Sequence, residues 1–165
     1  RSVRIGVKKS LMVVDMPYNT YSSNVTAFKN AKKIIKETKC DAVKLEGGKK
    51  IINQINFLIK KKISVMGHLG LLPQTAKGKF KSKGNSSKET KQLINDALLL
   101  QKAGVFAIVL ECIKSPTAKQ ITNRMERDTQ HKMGFHHPSF NLGYRRNVPK
   151  YAQRENTYCI KYLIH

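Results

Sequence analysis

Five side chains capable of chemistry stand at the ends of short apolar runs: Asp15, Lys44, Glu46, His68 and Glu111. Asp15 closes the run Leu11 to Val14, and Lys44 and Glu46 follow Ala42 and Val43. His68 follows Ile63 to Gly67, and Glu111 follows Phe106 to Leu110. A carboxylate can bind a hard cation or take a proton, and a lysine can hold an anionic oxygen. Lys44 and Glu46 are two residues apart, so on a strand they point to the same side. Asp15 and Glu46 together make a carboxylate pair with an open coordination sphere. That suits Mg²⁺, whose remaining ligands are normally waters and substrate oxygens. Glu111, after its apolar run, is expected to be partly desolvated, with its pKa raised toward that of a useful general base. Gly67 and Gly70 around His68 would permit close approach of a ligand.

Each residue also has a plainer reading. Lys44 and Glu46 can be an ordinary exposed strand end, Glu111 a buried salt-bridge partner of Lys44, and His68 a satisfied structural histidine. Matching strand-end positions tip the balance toward a site, because parallel α/β proteins build sites at the carboxyl ends of their strands. Cys112 alternates to the opposite side from Glu111 and reads as core packing, not as a nucleophile. His131, His136 and His137 lack partner cysteines at zinc spacing.

The elements that must position these residues follow from periodicity. Residues 11–15 read as a buried strand stopped by Pro17. Asn24 can cap a helix through about Lys39, with Val25, Phe28, Ala31, Ile34 and Ile35 at 3/4 spacing. Residues 41–46 form the next strand, broken by Gly47 and Gly48. Lys50 to Lys61 carries Ile51, Ile52, Ile55, Leu58 and Ile59 at helical spacing, and a strand over 63–68 follows. A long Lys-rich loop runs from Leu71 to Ser86. Ser86 and Glu89 form a capping box for a helix that buries Leu93, Ala97 and Leu100 and ends at Gly104. A strand over 106–111 precedes a short helix that Pro116 opens, from Thr117 to about Met125. This alternation means a parallel sheet, as half of a (β/α)₈ barrel or as an open doubly wound sheet. No G-x-G-x-x-G follows the first strand, so a dinucleotide fold has no positive support. After Met125 the period stops. Residues 1–125 are therefore expected to form the catalytic domain, and 126–165 an irregular or non-native tail.

The 165 residues carry 40% apolar and 25% charged side chains, a globular composition with room for one core. No apolar stretch approaches the roughly 20 residues of a membrane span. The first residues hold neither an initiator Met nor a signal-peptide pattern, so the chain is expected to start mid-protein. Cys40, Cys112 and Cys159 are widely spaced and form no CxxC pair, which points to a reducing cytosol. The net charge of +22 raises the question of nucleic acid. Most of the excess is Lys at helix faces and ends, and no RNA-recognition, zinc-finger or helix-turn-helix pattern accompanies it. A Lys-biased enzyme surface is the better account, and no nucleic-acid or membrane partner is expected.

Four segments taken in order resemble the ketopantoate hydroxymethyltransferase (3-methyl-2-oxobutanoate hydroxymethyltransferase) family. They are LMVVDMPY from Leu11 to Tyr18, DAVKLEGG from Asp41 to Gly48, VMGHLGLLPQ from Val65 to Gln74, and VLEC from Val109 to Cys112. AKQIT from Ala118 to Thr122 fits the helix that follows. The resemblance covers roughly residues 1 to 123. It implies an α/β fold, a partial (β/α)₈ TIM-type barrel of about four parallel strands with helices. It also implies Mg²⁺ and the co-substrate 5,10-methylenetetrahydrofolate. The reaction adds a hydroxymethyl group to 3-methyl-2-oxobutanoate to give 2-dehydropantoate, in the biosynthesis of pantothenate, the coenzyme A precursor. Carried over, Asp15 and Glu46 match metal ligands, with Asp15 also touching substrate. Lys44 matches the substrate-binding lysine, Glu111 the proton acceptor for C3, and His68 a substrate-side histidine of the active-site rim. A cytoplasmic enzyme acting on a small keto acid and folate, as a family-type homo-oligomer, is the implied setting.

The chain also departs from that pattern. The family's earlier strand ending in Gly-Asp-Ser, with another metal ligand and a substrate-touching serine, does not occur. The loop Lys79 to Gly84 matches the family's Phe-Gly-Gly-Tyr-Lys-Val-Gln-Gly only in part, and the later Ile-Gly-Ile-Gly and Asp-Gly-Gln motifs are missing. Little or no activity from this chain alone is therefore expected. Two rivals stand beside the enzyme reading. One is a basic RNA- or ribosome-associated protein, and the other a different metal-dependent barrel enzyme of the phosphoenolpyruvate/carboligase type.

Overall fold

A computed structural model of the protein describes residues 2–7, 10–76, 78, 81–133 and 157–160. After a short helix α1 (Ser2–Gly6), strands and helices alternate: β1 (Val13–Asp15), α2 (Asn24–Thr38), β2 (Ala42–Glu46), α3 (Ile52–Lys60), β3 (Val65–Gly70), α4 (Ser87–Ala103), β4 (Ala107–Glu111) and α5 (Ser115–Met133). A single 3₁₀ turn (Lys49–Ile51) leads into α3. The strands lie side by side in chain order, and β1 to β4 are all parallel. β5 (Thr157–Ile160) closes the order, antiparallel to β4. The remainder of the expected irregular tail, 134–156 and 161–165, lies outside the described residues. Residue 125, where the sequence reading ends its catalytic domain, falls within α5.

Register explains how the sheet divides its two faces. Val43, Leu45, Val65, Leu69, Ile108 and Leu110 belong to one buried cluster with Ala27, Ala31, Ile55, Leu58, Leu93, Ala97 and Leu100 from the helices. The alternate strand positions therefore project from the other face. Helix ends follow their capping chemistry. Ser23, not Asn24, caps α2, its hydroxyl accepting from the Thr26 N–H. Val25 consequently faces solvent, 72% exposed, and Ala27 with Ala31 takes the innermost position expected of it. Ser86 accepts from the Glu89 N–H as the capping box requires. The Glu89 carboxylate turns back to the N–H groups of Gly84 and Asn85, both at 2.8 Å. Gly104 ends α4 in the left-handed region at φ 95°. Lys32, Lys33, Lys49, Lys50 and Lys60 to Lys62 are all exposed, so much of the positive charge is a solvated helix surface. Among the described residues no helix is long and apolar enough to cross a membrane.

Each strand starts one or two residues later than the periodicity puts it: β1 at Val13, β2 at Ala42, β3 at Val65 and β4 at Ala107. β1 is half-buried with Asp15 exposed, instead of the buried strand expected. β3 begins at Val65 and runs on to Gly70, so His68 sits inside the strand instead of at its end. Gly67 and Gly70 also have a different reason from ligand approach. A Cβ on Gly67 would come within 2.9 Å of Leu100 Cδ1 on α4. A Cβ on Gly70, at φ 99°, would come within 2.1 Å of the Glu111 carbonyl oxygen. Both glycines serve close packing of β3 on its neighbours.

Candidate active site

The pairing register carries the five expected residues up one face as a staircase. Asp15 pairs with Lys44, Glu46 pairs with His68, and Gly70 pairs with Glu111. His68 is two residues beyond Met66, which pairs with Lys44, and Glu111 is two beyond Val109, which pairs with His68. All five are therefore in phase, each step one same-face rung further along the sheet. They line one cavity of about 410 Å³ together with Pro17, Pro73 and Gln74.

Pairing within the site is specific. Lys44 Nζ lies 3.0 Å from Asp15 Oδ2. Lys44 is thus the direct ion-pair partner of Asp15 and acts on Glu111 only through its field. His68 stands between two carboxylates, with Nε2 3.1 Å from Glu111 Oε2 and Nδ1 3.8 Å from Glu46 Oε1. The shorter contact is within hydrogen-bond distance but off the direction of the ring N–H. His68 is 1% exposed and Glu46 7%, two of the few buried polar residues. Burial, and then the positive charge of Lys44, lowers the His68 pKa to about 4 against weaker opposing effects of Asp15 and the Leu71 backbone. The imidazole is therefore neutral at physiological pH. Burial raises the pKa of Glu111. Lys44 pulls it back, and Glu46 and Asp15 add to the rise.

Glu46 receives a second layer of support that the sequence reading missed. Gln74 donates its backbone N–H to Oε2 and its side-chain Nε2 to Oε1, both at 3.2 Å. Buried Tyr21 donates its hydroxyl to the Glu46 carbonyl at 3.4 Å. The clue to Gln74 is its place inside a matched segment, in the turn four residues past the end of β3. Tyr21 carried no signal, because it reaches the site across 25 residues of chain. Cys112 is half-exposed, and burial and Glu111 raise its thiol pKa, so it is protonated and unsuited to nucleophilic attack.

The cavity is lined by carboxylate oxygens of Asp15, Glu46 and Glu111 beside the His68 ring, with no thiol among them, which suits a hard cation and not a thiophilic one. Among the described residues no three or more His, Cys, Asp or Glu side chains form a metal cluster. A cation here would rest on two carboxylates and complete its shell with water or substrate, the arrangement Mg²⁺ tolerates best.

The pattern of the ketopantoate hydroxymethyltransferase family matches residues 1–129. The chain belongs to this family. The family match spans β1 to β4, so it contains every residue of the staircase. The 3-methyl-2-oxobutanoate hydroxymethyltransferase of Pelagibacter ubique is 60% identical over 129 residues, 78% of this chain and 50% of that relative. The enzymes of the same name from Clostridium botulinum and Clostridioides difficile are 48% and 46% identical over 132 residues, each covering 78% of this chain and 48% of the relative. The chain spans about half the length of the curated relatives it matches.

Proposed function

We propose that this chain supplies the central strands of a 3-methyl-2-oxobutanoate hydroxymethyltransferase site. In the complete site a hydroxymethyl group passes from 5,10-methylenetetrahydrofolate to 3-methyl-2-oxobutanoate, giving 2-dehydropantoate for pantothenate biosynthesis. The observation that carries this reading is the staircase: a carboxylate pair, a lysine and a raised carboxylic acid from β1, β2 and β4, with His68 of β3 between them, facing one cavity. Family membership and the names of the relatives support it.

The roles follow from what each group can do. Lys44, with its ammonium at the cavity wall, binds the carboxylate of the keto acid. Asp15 and Glu46 hold Mg²⁺, which when bound polarises the keto oxygen as a Lewis acid. Glu111 takes the C3 proton onto a carboxylate oxygen, and its raised pKa makes it a stronger base than an exposed glutamate. The electron pair freed from the C3–H bond forms the new bond from C3 to the one-carbon unit. The two C–N bonds from that unit to the folate break, with their electron pairs returning to the nitrogens. Water supplies the hydroxyl oxygen, and one of its protons and the one taken from C3 end on the two folate nitrogens. Neutral His68 sits between Glu111 and Glu46 and packs against both carboxylates without adding a charge.

Residues 1–125 are the barrel portion in this reading, with α5 running on past them to Met133 and β5 added to the sheet beside β4. A cytoplasmic setting and a family-type homo-oligomer belong to the same proposal. Among the described residues β1 pairs only with β2, which leaves its other edge without a strand, a liability for solubility. Full turnover by the 165 residues alone is therefore expected to be low.

The test is calorimetric titration of the chain with 3-methyl-2-oxobutanoate, with and without Mg²⁺. Saturable binding that needs Mg²⁺ and disappears in Glu46→Gln supports the reading. No keto-acid binding, together with RNA binding that falls steeply with salt, would transfer the case to a basic RNA-associated protein.

A further inference from the structure

We propose that Gln74 is a positioning residue that fixes the pose of the Glu46 carboxylate and its spacing from Asp15. The inference rests on the reading that these two carboxylates hold the cation. Gln74 lies in the turn after β3, exposed at the cavity rim that it helps to line. An exposed glutamine usually leaves its amide to water, yet here the whole amide is committed. Nε2 donates to Glu46 Oε1 and to the Met16 carbonyl, both at 3.2 Å, and Oε1 accepts from the Tyr18 N–H. The backbone N–H of Gln74 donates to the second oxygen, Glu46 Oε2.

These partners allow a single amide orientation. An ionised carboxylate and a carbonyl only accept, and a backbone N–H only donates, so the NH₂ must face Glu46 and Met16 while the oxygen faces Tyr18. Each Glu46 oxygen accepts one hydrogen bond from Gln74 and keeps lone-pair capacity for the cavity. Met16 directly follows Asp15, and its own N–H donates to the Lys44 carbonyl at 2.9 Å. Gln74 thus ties the end of β1 to the end of β2 at the mouth of the cavity. It holds one proposed ligand by its side chain and the other through the adjoining peptide.

Mg²⁺ affinity, measured by calorimetry with MgCl₂ alone, tests this. Parent chain, Gln74→Met, Glu46→Gln and the double variant are compared, with thermal unfolding of the metal-free chains in parallel. Gln74→Met is expected to weaken Mg²⁺ binding about tenfold to a hundredfold, as loss of an outer-shell partner does. In the Glu46→Gln background the same change should have no further effect. Gln74→Ser gives the same comparison should the methionine variant fail to fold. Binding that Glu46→Gln abolishes but both Gln74 variants leave at the parent value overturns the positioning role alone. A parent chain that binds no Mg²⁺, or binding indifferent to Glu46→Gln, overturns the cation reading and this inference with it.

Discussion

His68 stands directly against Glu111, with Nε2 and Oε2 3.1 Å apart inside the cavity wall. Because burial and Lys44 keep the ring neutral, it has one N–H to share between two carboxylates. Glu46 already receives two donors from Gln74, whereas Glu111 has His68 Nε2 at 3.1 Å. A proton on Nε2 faces the nearer carboxylate, Glu111, although the N–H is not aligned with its oxygen. The ring is a neutral spacer between a base and a proposed metal ligand, a role that an imidazolium would disrupt by neutralising both.

That neutrality has a stability consequence with a definite sign. The His68 pKa falls from 6.5 in the unfolded chain to about 4 in the folded one. Between those values the unfolded state binds the extra proton, so stability is intact above 6.5 and is lost as the pH falls toward 4. The loss is about 2 kcal/mol by pH 5, at roughly 1.4 kcal/mol per pH unit. Glu111, whose folded pKa is raised, works in the opposite direction over the acid range and offsets part of it. Urea midpoints at pH 7 and pH 5 should therefore separate by less in His68→Gln than in the parent chain. Equal separations would sink the idea that His68 is held neutral.

The order of elements and the positions of the site residues were legible because each strand is a short apolar run and each helix has a 3/4 stripe. Leu93, Ala97, Leu100 and Gly104 fall where the pattern puts them. What escaped was anything set by partners distant in sequence. The glycines beside His68 answer to Leu100 and to the Glu111 backbone, contacts that no local pattern encodes. Lys44 had two carboxylates within reach in the sequence reading, and only the register of β1 on β2 gives it to Asp15. The extent of α5 was underestimated because residues beyond Met125 lack an apolar stripe, yet the helix continues to Met133.

Lys44→Met separates the lysine's binding role from its structural one. The Lys44–Asp15 pair has one side chain 18% and the other 55% exposed, so it contributes no more than about 1 kcal/mol to stability. A charge-assisted hydrogen bond to a bound carboxylate is stronger, about 1.5–3 kcal/mol, which corresponds to about tenfold to a hundredfold in affinity. Calorimetry should show that loss for 3-methyl-2-oxobutanoate while the urea midpoint barely moves. Unchanged keto-acid affinity would remove Lys44 from the substrate site.

Glu111→Gln should uncouple binding from proton transfer. The amide keeps the side chain's size but cannot accept the C3 proton, so Mg²⁺ and keto-acid affinities should stay near those of the parent. Exchange of the C3 hydrogen for deuterium, followed by NMR, needs only the keto acid, the cation and the base. It should fall at least about 100-fold, the lower range for loss of a general base. In the parent the exchange rate should climb with pH until it passes the raised Glu111 pKa and then level off. Exchange persisting in the glutamine variant would mean that another group takes the proton.

Gly70→Ala should destabilise the chain more than any change at the site itself. The new methyl group would meet the Glu111 carbonyl oxygen, a backbone atom fixed by the β3–β4 ladder, at a position whose φ of 99° already excludes most side chains. Strain of that kind with a backbone collision costs on the order of 3 kcal/mol. Gly67→Ala meets a side-chain methyl of Leu100, which can rotate away, so roughly 1 kcal/mol is expected there. Gly70→Ala should also displace the Glu111 carbonyl and with it the carboxylate against His68, so C3 exchange should drop along with stability. The comparison is made from urea midpoints of the two variants at neutral pH. A Gly70→Ala chain as stable as Gly67→Ala would show that the end of β3 is not locked to β4 as the register requires.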